Sequence, residues 1–299
     1  MKKPLISIVT VNYREPEVTV DFLKSLHDSE FQDFEVIVVE NAPLIDYSDS
    51  YLEAYEDVIV IKSPDNLGFA GGNNLGIRSA RGEFVFLLNN DTEVTPDLLG
   101  NCLQAFERPE IGVVCPKIKY FYKKDTIQFA GFSEINTWGS NTMIGFNAKD
   151  DGRFDKRRSI PYGHGAAMML RRQAIEDAGL MPESYFLYYE ELDWSVRIRE
   201  AGYEIWFQPD AEVFHKVSVS TGQASPLKTY YMTRNRILFM RKNAEQTRLP
   251  LFIVYFLFVA FPKHLLTHLT GGRWQHVQSV LRGTWQGLFN RGWYSTPIL

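Results

Sequence analysis

The 299-residue sequence contains only two cysteines, and neither lies in a pattern that gives cysteine a chemical role. Cys102 and Cys115 lie in apolar stretches, and the sequence has no Cys-x-x-Cys pair and no cysteine–histidine spacing typical of a zinc site. A disulfide-stabilised scaffold is therefore excluded. Apolar, unpatterned thiols favour a reduced, cytoplasmic protein.

The sequence also lacks low-complexity segments and internal repeats, while 45% of its residues are hydrophobic. This composition excludes disordered and collagen-like proteins and predicts a globular fold with a core. The first apolar stretch, residues 5–11, is too short and too rich in β-branched residues to be the core of a signal peptide. We therefore expect a protein that is not secreted.

Acidic residues are almost absent from the last quarter of the chain. From Lys228 onward ten lysine and arginine residues accompany one acid, Glu245, which gives a net charge of +9 against −13 for residues 1–227. The apolar run at residues 249–261 is shorter than the about 20 residues that a membrane-spanning helix needs. With Trp274, Trp285 and Trp293 after it, this run predicts a pair of helices on an anionic membrane surface. A buried core helix and a subunit interface are the alternatives.

The N-terminal half alternates strand-like and helix-like segments, which predicts an α/β fold with a mainly parallel sheet covered by helices. Residues 117–162 lack a clear period and are predicted to form hairpins and loops. The predicted strands are residues 5–11, 34–40, 58–61, 84–88, 166–170, 204–208 and 212–215. One helix is predicted after the first strand, two more at residues 97–107 and 190–201, and another that follows the strand at residues 166–170 and ends at residue 178.

Polar residues follow the apolar strand at residues 84–88 abruptly, as Asn89, Asn90 and Asp91. In parallel α/β sheets, ligands bind outside this carboxyl edge. An aspartate there can hold a divalent cation whose other ligands are phosphate oxygens and water. A turn that leads into the next helix explains the same residues without a ligand.

Four glycines lie in the segment 65–76, where a helix is expected to begin near Gly72. Glycine lets a backbone approach a ligand closely, and a helix N-terminus presents free N–H groups to phosphate oxygens. The segment is not the dinucleotide fingerprint, which follows the first strand. A plain glycine-rich turn is the alternative.

Three acids, Glu190, Glu191 and Asp193, open a predicted helix after an aromatic run. The helix dipole favours acids in a first turn without any function, but adjacent carboxylates also raise each other's pKa and suggest a base. His215 ends a predicted strand, where a neutral imidazole can complete a metal site with Asp91. A structural histidine is the alternative there.

Taken together, these segments resemble the family 2 glycosyltransferases of the GT-A fold, and most closely the bacterial rhamnosyltransferase-like enzymes that build cell-surface polysaccharides. The likeness covers about residues 4–242, which we take as the catalytic domain, with residues 243–299 as a helical C-terminal extension. It is carried by residues 6–13, 38–42, 66–74, 88–91, 163–166, 190–193, 215 and 230–236.

The resemblance implies a divalent cation, Mg²⁺ or Mn²⁺, held by Asp91 and His215, and implies that Glu191 is the catalytic base. It also implies a nucleoside diphosphate-sugar donor with dTDP or UDP as its nucleotide. The implied nucleotide contacts are Thr10, Asn12, Tyr13, Glu40, Asn66, Gly71, Asn73, Asn89 and Asn90, and the implied donor-sugar and acceptor pocket contains Gly163, His164, Gly165, Glu190, Asp193 and Trp194.

Three residues depart from the family pattern. Asn89 stands where the family has the first aspartate of its DxD motif, which removes one charge near the cation. Glutamate replaces aspartate at Glu40 and Glu191. The added methylene in the base moves its carboxylate by about 1 Å, enough to lower the rate unless the pocket has moved with it.

The resemblance implies an inverting glycosyltransferase that transfers a sugar, first of all L-rhamnose from dTDP-rhamnose, to a lipid-linked or cell-surface polysaccharide acceptor. UDP-hexoses and galactofuranose are alternative donors. The extension would hold the protein at the inner face of the plasma membrane and could pair subunits into a homo-oligomer.

Two rivals remain at this stage. One is a catalytically silent nucleotide- or glycan-binding scaffold of the same fold. The other is a nucleotidyltransferase, although the glycine-rich loop that it needs after the first strand is missing. Nucleic-acid binding is not expected, because it leaves the apolar run at residues 249–261 unexplained.

Overall fold

Four parallel strands form one half of the sheet, close to the residues predicted for them. The computed structural model describes residues 3–216 and 225–289. Helices cover this half of the sheet, which explains why its strands are almost wholly apolar. The elements are β1 (Ile6–Asn12), α1 (Pro16–Ser25), β2 (Phe34–Asn41), α2 (Ser48–Ala54), β3 (Ile59–Ser63), α3 (Gly68–Ser79) and β4 (Phe84–Leu88), and the strand order is β3-β2-β1-β4.

The other half of the sheet continues from β4 with mixed strand directions. Its elements are β5 (Thr92–Val94), α4 (Leu98–Gln104), β6 (Ile111–Tyr120), β7 (Lys123–Phe129), β8 (Ala148–Lys149), β9 (Arg158–Ser159), β10 (Ala167–Arg171), α5 (Arg172–Ala178), α6 (Glu190–Glu200) and β11 (Glu204–His215). The order continues β4-β10-β6-β11-β5, with β10 antiparallel to both neighbours and β11 parallel to β6. The predicted mixed sheet flanked by helices is confirmed, but parallel pairing prevails only up to β4, since most pairings beyond it are antiparallel.

Strand β6 is a central strand that the sequence analysis does not predict. Residues 117–120 fall in the region 117–162, which is predicted to form hairpins and loops because it lacks a clear period. Lys117 is nonetheless buried, and its ammonium group pairs with the carboxylates of Asp150 at 3.1 Å and Asp155 at 2.6 Å. A lysine can lie in a buried strand when carboxylates from a distant loop neutralise it, and periodicity does not contain that information.

The two strands expected at residues 204–208 and 212–215 form one continuous strand, β11. Its register against β6 shifts between Gln208 and Glu212, around Pro209. Proline has no N–H to donate to the ladder, so it is placed at such an irregularity. The helix predicted over residues 97–107 is also shorter, since α4 covers Leu98–Gln104.

Four α-helices follow the sheet within the described residues. They are α7 (Pro226–Asn243), α8 (Arg248–Tyr255), α9 (Phe261–Thr270) and α10 (Trp274–Phe289), and a π-helical segment, Phe256–Ala260, joins α8 to α9. The stretch Arg248–Thr270 is thus one helix of 23 residues, long and apolar enough by length and composition to cross a membrane. The apolar run at residues 249–261 is therefore only part of a longer helix. Pro262 does not end the helix, because the wider turns of the π-helical segment precede it.

Most of this long helix lies on the surface. Only 17% of its most apolar window is buried, through contacts that include Phe252 and Phe256, whereas Phe258 is 76% exposed. The alternative of a buried core helix is therefore wrong. Trp274 and Trp285 are each 66% exposed, and Trp293 lies outside the described residues.

Helix α10 packs closely against α7. A Cβ atom added to Gly283 would lie 2.8 Å from the carbonyl oxygen of Tyr230, and one added to Gly287 would lie 2.9 Å from Cβ of Ile237. The two glycines are one helical turn apart, so together they form a smooth strip on which α7 rests.

Candidate active site

The carboxyl ends of β1, β2 and β4 meet at one edge of the sheet. Asn12 at the end of β1 is paired in register with Glu40 at the end of β2, and Asn89 follows β4 directly. The N–H of Asn89 donates to the carbonyl oxygen of Ala166 at 3.0 Å, which brings the loop of residues 163–166 to the same edge. Residues that are far apart in sequence therefore line one cleft.

Glu40 is fully buried and held by two protein partners. Asn12 Nδ2 donates to both of its carboxylate oxygens, at 3.1 and 3.2 Å, and the Tyr51 hydroxyl donates to Oε1. Burial raises the pKa of the Glu40 carboxyl, while the hydrogen bonds from Tyr51 and Asn12 oppose the increase. Tyr51 reaches this edge of the sheet from α2. No local motif in the sequence predicts its contact with Glu40.

The expected nucleotide residues Asn90, Thr10 and Tyr13 differ in what the protein offers them. Asn90 Nδ2 donates to Asn12 Oδ1 at 3.2 Å and to Thr19 Oγ1 at 3.0 Å, which fastens the end of β4 to β1 and α1. Thr10 is buried in β1, and its hydroxyl has no hydrogen-bond partner among the described residues. Tyr13 is half-buried beside the guanidinium of Arg14, 5.0 Å from the ring centre.

The glycine-rich segment serves packing more than ligand approach. Helix α3 begins at Gly68, not near Gly72, and a Cβ on Gly72 would lie 2.8 Å from Cγ1 of Val11. The same atom on Gly76 would lie 2.3 Å from Cγ1 of Val9. These glycines let α3 lie directly on β1, so the expected close approach of a ligand is wrong for both of them.

The first N–H groups of α3 are also occupied by the protein. Gly68 N donates to Asn66 Oδ1 at 2.9 Å, and Phe69 N donates to the carbonyl oxygen of Phe186 at 2.8 Å. Asn73 is buried, with its amide nitrogen donating to the Phe69 carbonyl. Gly71 faces the Cβ of Leu67, 2.7 Å from where its own Cβ would be. Nucleotide contacts by Asn66, Gly71 and Asn73 remain predictions.

Asp91 and His215 form the strongest candidate for a cation site. Asp91 Oδ1 lies 3.0 Å from His215 Nε2, yet neither atom has a well-directed hydrogen bond among the described residues. His215 Nδ1 is 2.7 Å from Gln128 Oε1, and with that oxygen as acceptor Nδ1 carries the proton. The lone pair of Nε2 is then directed at the space beside Asp91, the arrangement in which a second residue orients a metal-binding histidine.

The pair fits a divalent cation that takes its remaining ligands from the substrate. The described residues contain no cluster of three or more His, Cys, Asp or Glu side chains suited to a metal ion. Two protein ligands leave room for diphosphate oxygens and water, as is usual for Mg²⁺ at nucleotide sites. Gln128 lies in β7, far from Asp91 in sequence, and no sequence signal identifies it.

Glu190 and Glu191 open α6 beside the loop of residues 163–166. Glu190 is buried, whereas Glu191 is half-buried, and an added Cβ on Gly165 would lie 4.0 Å from Cγ of Glu191. Burial raises the pKa of the Glu191 carboxyl to about 7. Burial and the charge of Glu191 together raise the pKa of Glu190 well above its ordinary value. The pair therefore offers a base near neutral pH.

The loop before α6 has a backbone conformation that α7 holds in place. Phe186, Tyr188 and Tyr189 all have positive φ, between 66° and 77°, a region that non-glycine residues rarely adopt. Asn235 Nδ2 lies 2.8–3.0 Å from three carbonyl oxygens of this loop, those of Tyr185, Leu187 and Tyr188. In the sequence, Asn235 stands out only as part of residues 230–236, which resemble the family, and nothing there predicts its contact with the loop before α6.

Two residues expected in the pocket lie inside the protein. Trp194 is fully buried and its indole N–H donates to the carbonyl oxygen of Gly179 at 2.7 Å. Asp193 is fully buried and forms an ion pair with Lys242 of α7. The expectation that either lines the pocket is wrong, because both side chains are fully buried and bonded within the protein.

His164 lies beside the cleft with aromatic neighbours. Its ring stacks on Phe132 with centres 5.8 Å apart, and Nδ1 accepts a hydrogen bond from the N–H of Ala166. Burial, with a smaller contribution from His215, lowers the pKa of His164 to about 3. Gly163 N donates to Ser195 Oγ at 3.0 Å, so the loop is fastened to α6 at its start.

The mixed sheet, with Asn12, Glu40 and Asp91 near the carboxyl ends of its strands, has the architecture of the GT-A fold. The family model for glycosyl transferase family 2 matches residues 7–179, more than half of the chain. The chain belongs to that family and is a glycosyltransferase.

Individual relatives are distant. The low-salt glycan biosynthesis hexosyltransferase Agl10 of Haloferax volcanii is 27% identical over 241 residues, which cover 78% of this chain and 74% of the relative. The dTDP-rhamnosyl transferase RfbF of Shigella flexneri is 22% identical over 277 residues, 87% of this chain and 89% of the relative. Two other relatives are much longer, and the chain spans 27% and 19% of them.

Solved structures support the fold. A mannosyltransferase from Pyrobaculum calidifontis, in complex with GDP-Man and Mn²⁺, superposes with a TM-score of 0.60 at 16% identity. The match covers 98% of this chain and 89% of that one. At this identity the likeness concerns the fold alone.

Proposed function

We propose that the protein is an inverting glycosyltransferase in which Glu191 is the base. The observation that carries this proposal is the carboxylate of Glu191, with a pKa of about 7, beside the edge that holds Asp91 and His215. A base near neutral pH accepts a proton from an acceptor hydroxyl most effectively. Residues 1–242 would form the catalytic domain.

In the proposed reaction, the acceptor hydroxyl donates its proton to Glu191 while its oxygen forms a bond to the anomeric carbon. The bond from that carbon to the donor diphosphate breaks, and its electron pair leaves with the diphosphate. Attack from the face opposite the leaving group inverts the anomeric centre. A cation bound by Asp91 and His215, Mg²⁺ or Mn²⁺, would neutralise charge on the leaving diphosphate.

We propose dTDP-rhamnose as the donor, since RfbF is named a dTDP-rhamnosyl transferase. The name of Agl10 gives only a hexosyltransferase, which keeps a UDP-hexose as the alternative. Thermal-shift measurements with dTDP, UDP and GDP, each with and without Mn²⁺, would separate these. We expect one nucleotide to stabilise the wild type with metal and to lose that effect in Asp91→Ala.

The base is tested by Glu191→Gln, which keeps the shape of the side chain but cannot accept the proton. We expect turnover to fall by about 10²–10⁴, with donor binding unchanged. Glu176→Gln on the surface of α5 removes the same charge and is the matched control. Near wild-type turnover in Glu191→Gln would remove the proposed role. Nucleotide binding without any turnover in the wild type would instead favour a silent scaffold.

We propose that residues 243–299 hold the enzyme on the cytoplasmic face of an anionic membrane, where a lipid-linked acceptor is presented. Support comes from the exposed apolar side chains, among them Phe258 at 76% and Leu266 at 62% exposure, in a strongly basic region. Deleting the helices would uncover the face of α7 that Gly283 and Gly287 cover, so substitution is the better test. We expect Phe258→Asp with Leu266→Asp to abolish sedimentation with anionic vesicles and to spare nucleotide binding; unchanged sedimentation would refute the proposal.

A further inference from the structure

A cavity of about 460 Å³ lies between α7, the long helix Arg248–Thr270 and the loop of residues 139–141. Its lining includes neither Asp91 nor His215. No function described so far uses it. The side chains that matter for its chemistry are Tyr189, Lys228, Arg236, His264, His268 and Asn141.

The lining of this cavity is basic and lacks compensating acids. Lys228 and Arg236 contribute two permanent cations and His264 and His268 two imidazoles, while none of the described residues that line it is an aspartate or glutamate. Enclosing like charges without a counter-ion is unfavourable. The basic lining of this cavity therefore favours binding of an anion.

Three buried nitrogen atoms of this lining have no hydrogen-bond partner within the described parts of the chain. They are Nδ2 of Asn141, Nε of Arg236 and Nδ1 of His268. Buried donors in native proteins are almost always paired. Asn141 and Arg236 line the cavity, and their unpaired N–H groups can bind a ligand that carries acceptor oxygens, as a phosphate does, once these side chains turn toward it.

The position of the cavity connects the base to the apolar surface. Tyr189 lines it and directly precedes Glu190 and Glu191, and Phe256 of the π-helical segment lines it on the other side. The same long helix carries the exposed Phe258 and Leu266. A ligand with a phosphate here can extend a hydroxyl toward Glu191 and an apolar chain toward the exposed helix face.

We propose that this cavity binds the phosphate or diphosphate of a lipid-linked acceptor, with Lys228, Arg236, Asn141 and the two histidines as its ligands. The assignment rests on the proposed glycosyl transfer and adds to it the chemical class of the acceptor. The nucleotide of the donor would bind elsewhere, at the ends of β1, β2 and β4. Two anionic groups would thus occupy two separate sites.

The test measures binding of farnesyl diphosphate, farnesol and inorganic pyrophosphate to the full-length protein by calorimetry. We expect farnesyl diphosphate to bind, and Lys228→Gln with His264→Gln to weaken it about tenfold or more, since charge-assisted hydrogen bonds are lost. Lys263→Gln, a neighbouring surface cation outside the cavity, is the matched control and should bind as the wild type does. Saturation with the preferred nucleotide and Mn²⁺ should leave farnesyl diphosphate binding unchanged.

Three results would overturn the assignment. Equal affinity of the double variant and the Lys263→Gln control would place the ligand outside the cavity. Farnesol binding as tightly as farnesyl diphosphate would show that the phosphates are not recognised. Pyrophosphate binding as tightly would point to a free anion rather than a lipid-linked one.

The cavity assignment and the proposed function can fail separately. Turnover that does not depend on Glu191 would refute the function even where farnesyl diphosphate binds in the cavity. Conversely, turnover that depends on Glu191, together with competition between farnesyl diphosphate and the nucleotide, would refute only the cavity assignment.

Discussion

Asn235 holds the loop that leads into Glu191, the proposed base, and replacing Asn235 should lower stability and turnover in different ways. Its amide nitrogen lies within 3.0 Å of three buried carbonyl oxygens, and the loop that it holds contains three non-glycine residues with positive φ. Each such residue costs about 1–3 kcal/mol unless its surroundings fix it. Asn235 is fully buried, so solvent cannot replace the lost donor.

Asn235→Leu keeps the number and branching of the side-chain heavy atoms, while the three carbonyl oxygens lose their donor and the Arg234 guanidinium loses Asn235 Oδ1 as an acceptor. The NH2 group has two hydrogens, so its three contacts amount to about two hydrogen bonds. At about 1 kcal/mol for each hydrogen bond, the free energy of unfolding should fall by about 2 kcal/mol, or about 4–8 °C in Tm for a chain of this size. The matched control is Asn243→Leu in the same helix, because that amide makes one bond, to the Phe239 carbonyl. The control should lose about 1 kcal/mol or less.

The kcat of Asn235→Leu should fall even at temperatures at which the variant is fully folded. A displacement of Glu191 by about 1 Å is enough to cost about 10²-fold in kcat. Nucleotide binding should not change, because its expected site lies at the ends of β1, β2 and β4. Thermal denaturation, kcat and the nucleotide Kd, measured on both variants well below their Tm, check this. A loss of about 2 kcal/mol in the free energy of unfolding, with kcat within threefold of the wild type, would refute the positioning role.

Three further predictions concern the base, the packing of α3 and the cation pair. Because burial raises the Glu191 pKa to about 7, the base is protonated below that pH, and kcat/KM should rise about tenfold from pH 6 to pH 7.5 before levelling; a flat profile would contradict this. Gly76→Ala should lower the free energy of unfolding by about 1–3 kcal/mol in denaturant titrations, because its Cβ would lie 2.3 Å from Cγ1 of Val9. Gly100→Ala, whose Cβ meets nothing within 4 Å, should be neutral or stabilising. Gln128→Leu should weaken Mn²⁺-dependent nucleotide binding about 10–100-fold without changing binding in the absence of metal. If the wild type and Gln128→Leu gave the same Mn²⁺ titration curve, Gln128 would not orient His215.

The sequence identifies the residues at the strand ends but not their partners. Asn12, Glu40 and Asp91 can be located from the sequence because an apolar strand that ends in polar residues indicates its own carboxyl edge. Tyr51, Gln128 and Asn235 approach that edge from other elements, and only the packed fold brings them there. Their hydrogen bonds span sequence distances over which no periodicity carries information.

The glycine-rich segment shows a different kind of error. Sequence alone locates Gly72 and Gly76 correctly on a helix beside the cleft, but it does not tell which side of the helix they face. They face Val11 and Val9 of β1, so their lack of a side chain serves packing. Similarly, a proline at position 262 suggests a helix end, while the π-helical segment before it lets the helix continue.

Helix α7 connects the loop of residues 185–189, before the proposed base, to the C-terminal helices. Through Asn235 it holds the loop before Glu191, and on another face it packs against the glycine strip of α10. Its 18 residues give it a length of about 27 Å. If the C-terminal helices rest on a bilayer, α7 sets one height and one tilt for the base above the membrane. Acceptors would then be selected by how far their hydroxyl stands from the lipid surface, in addition to how it fits the cleft.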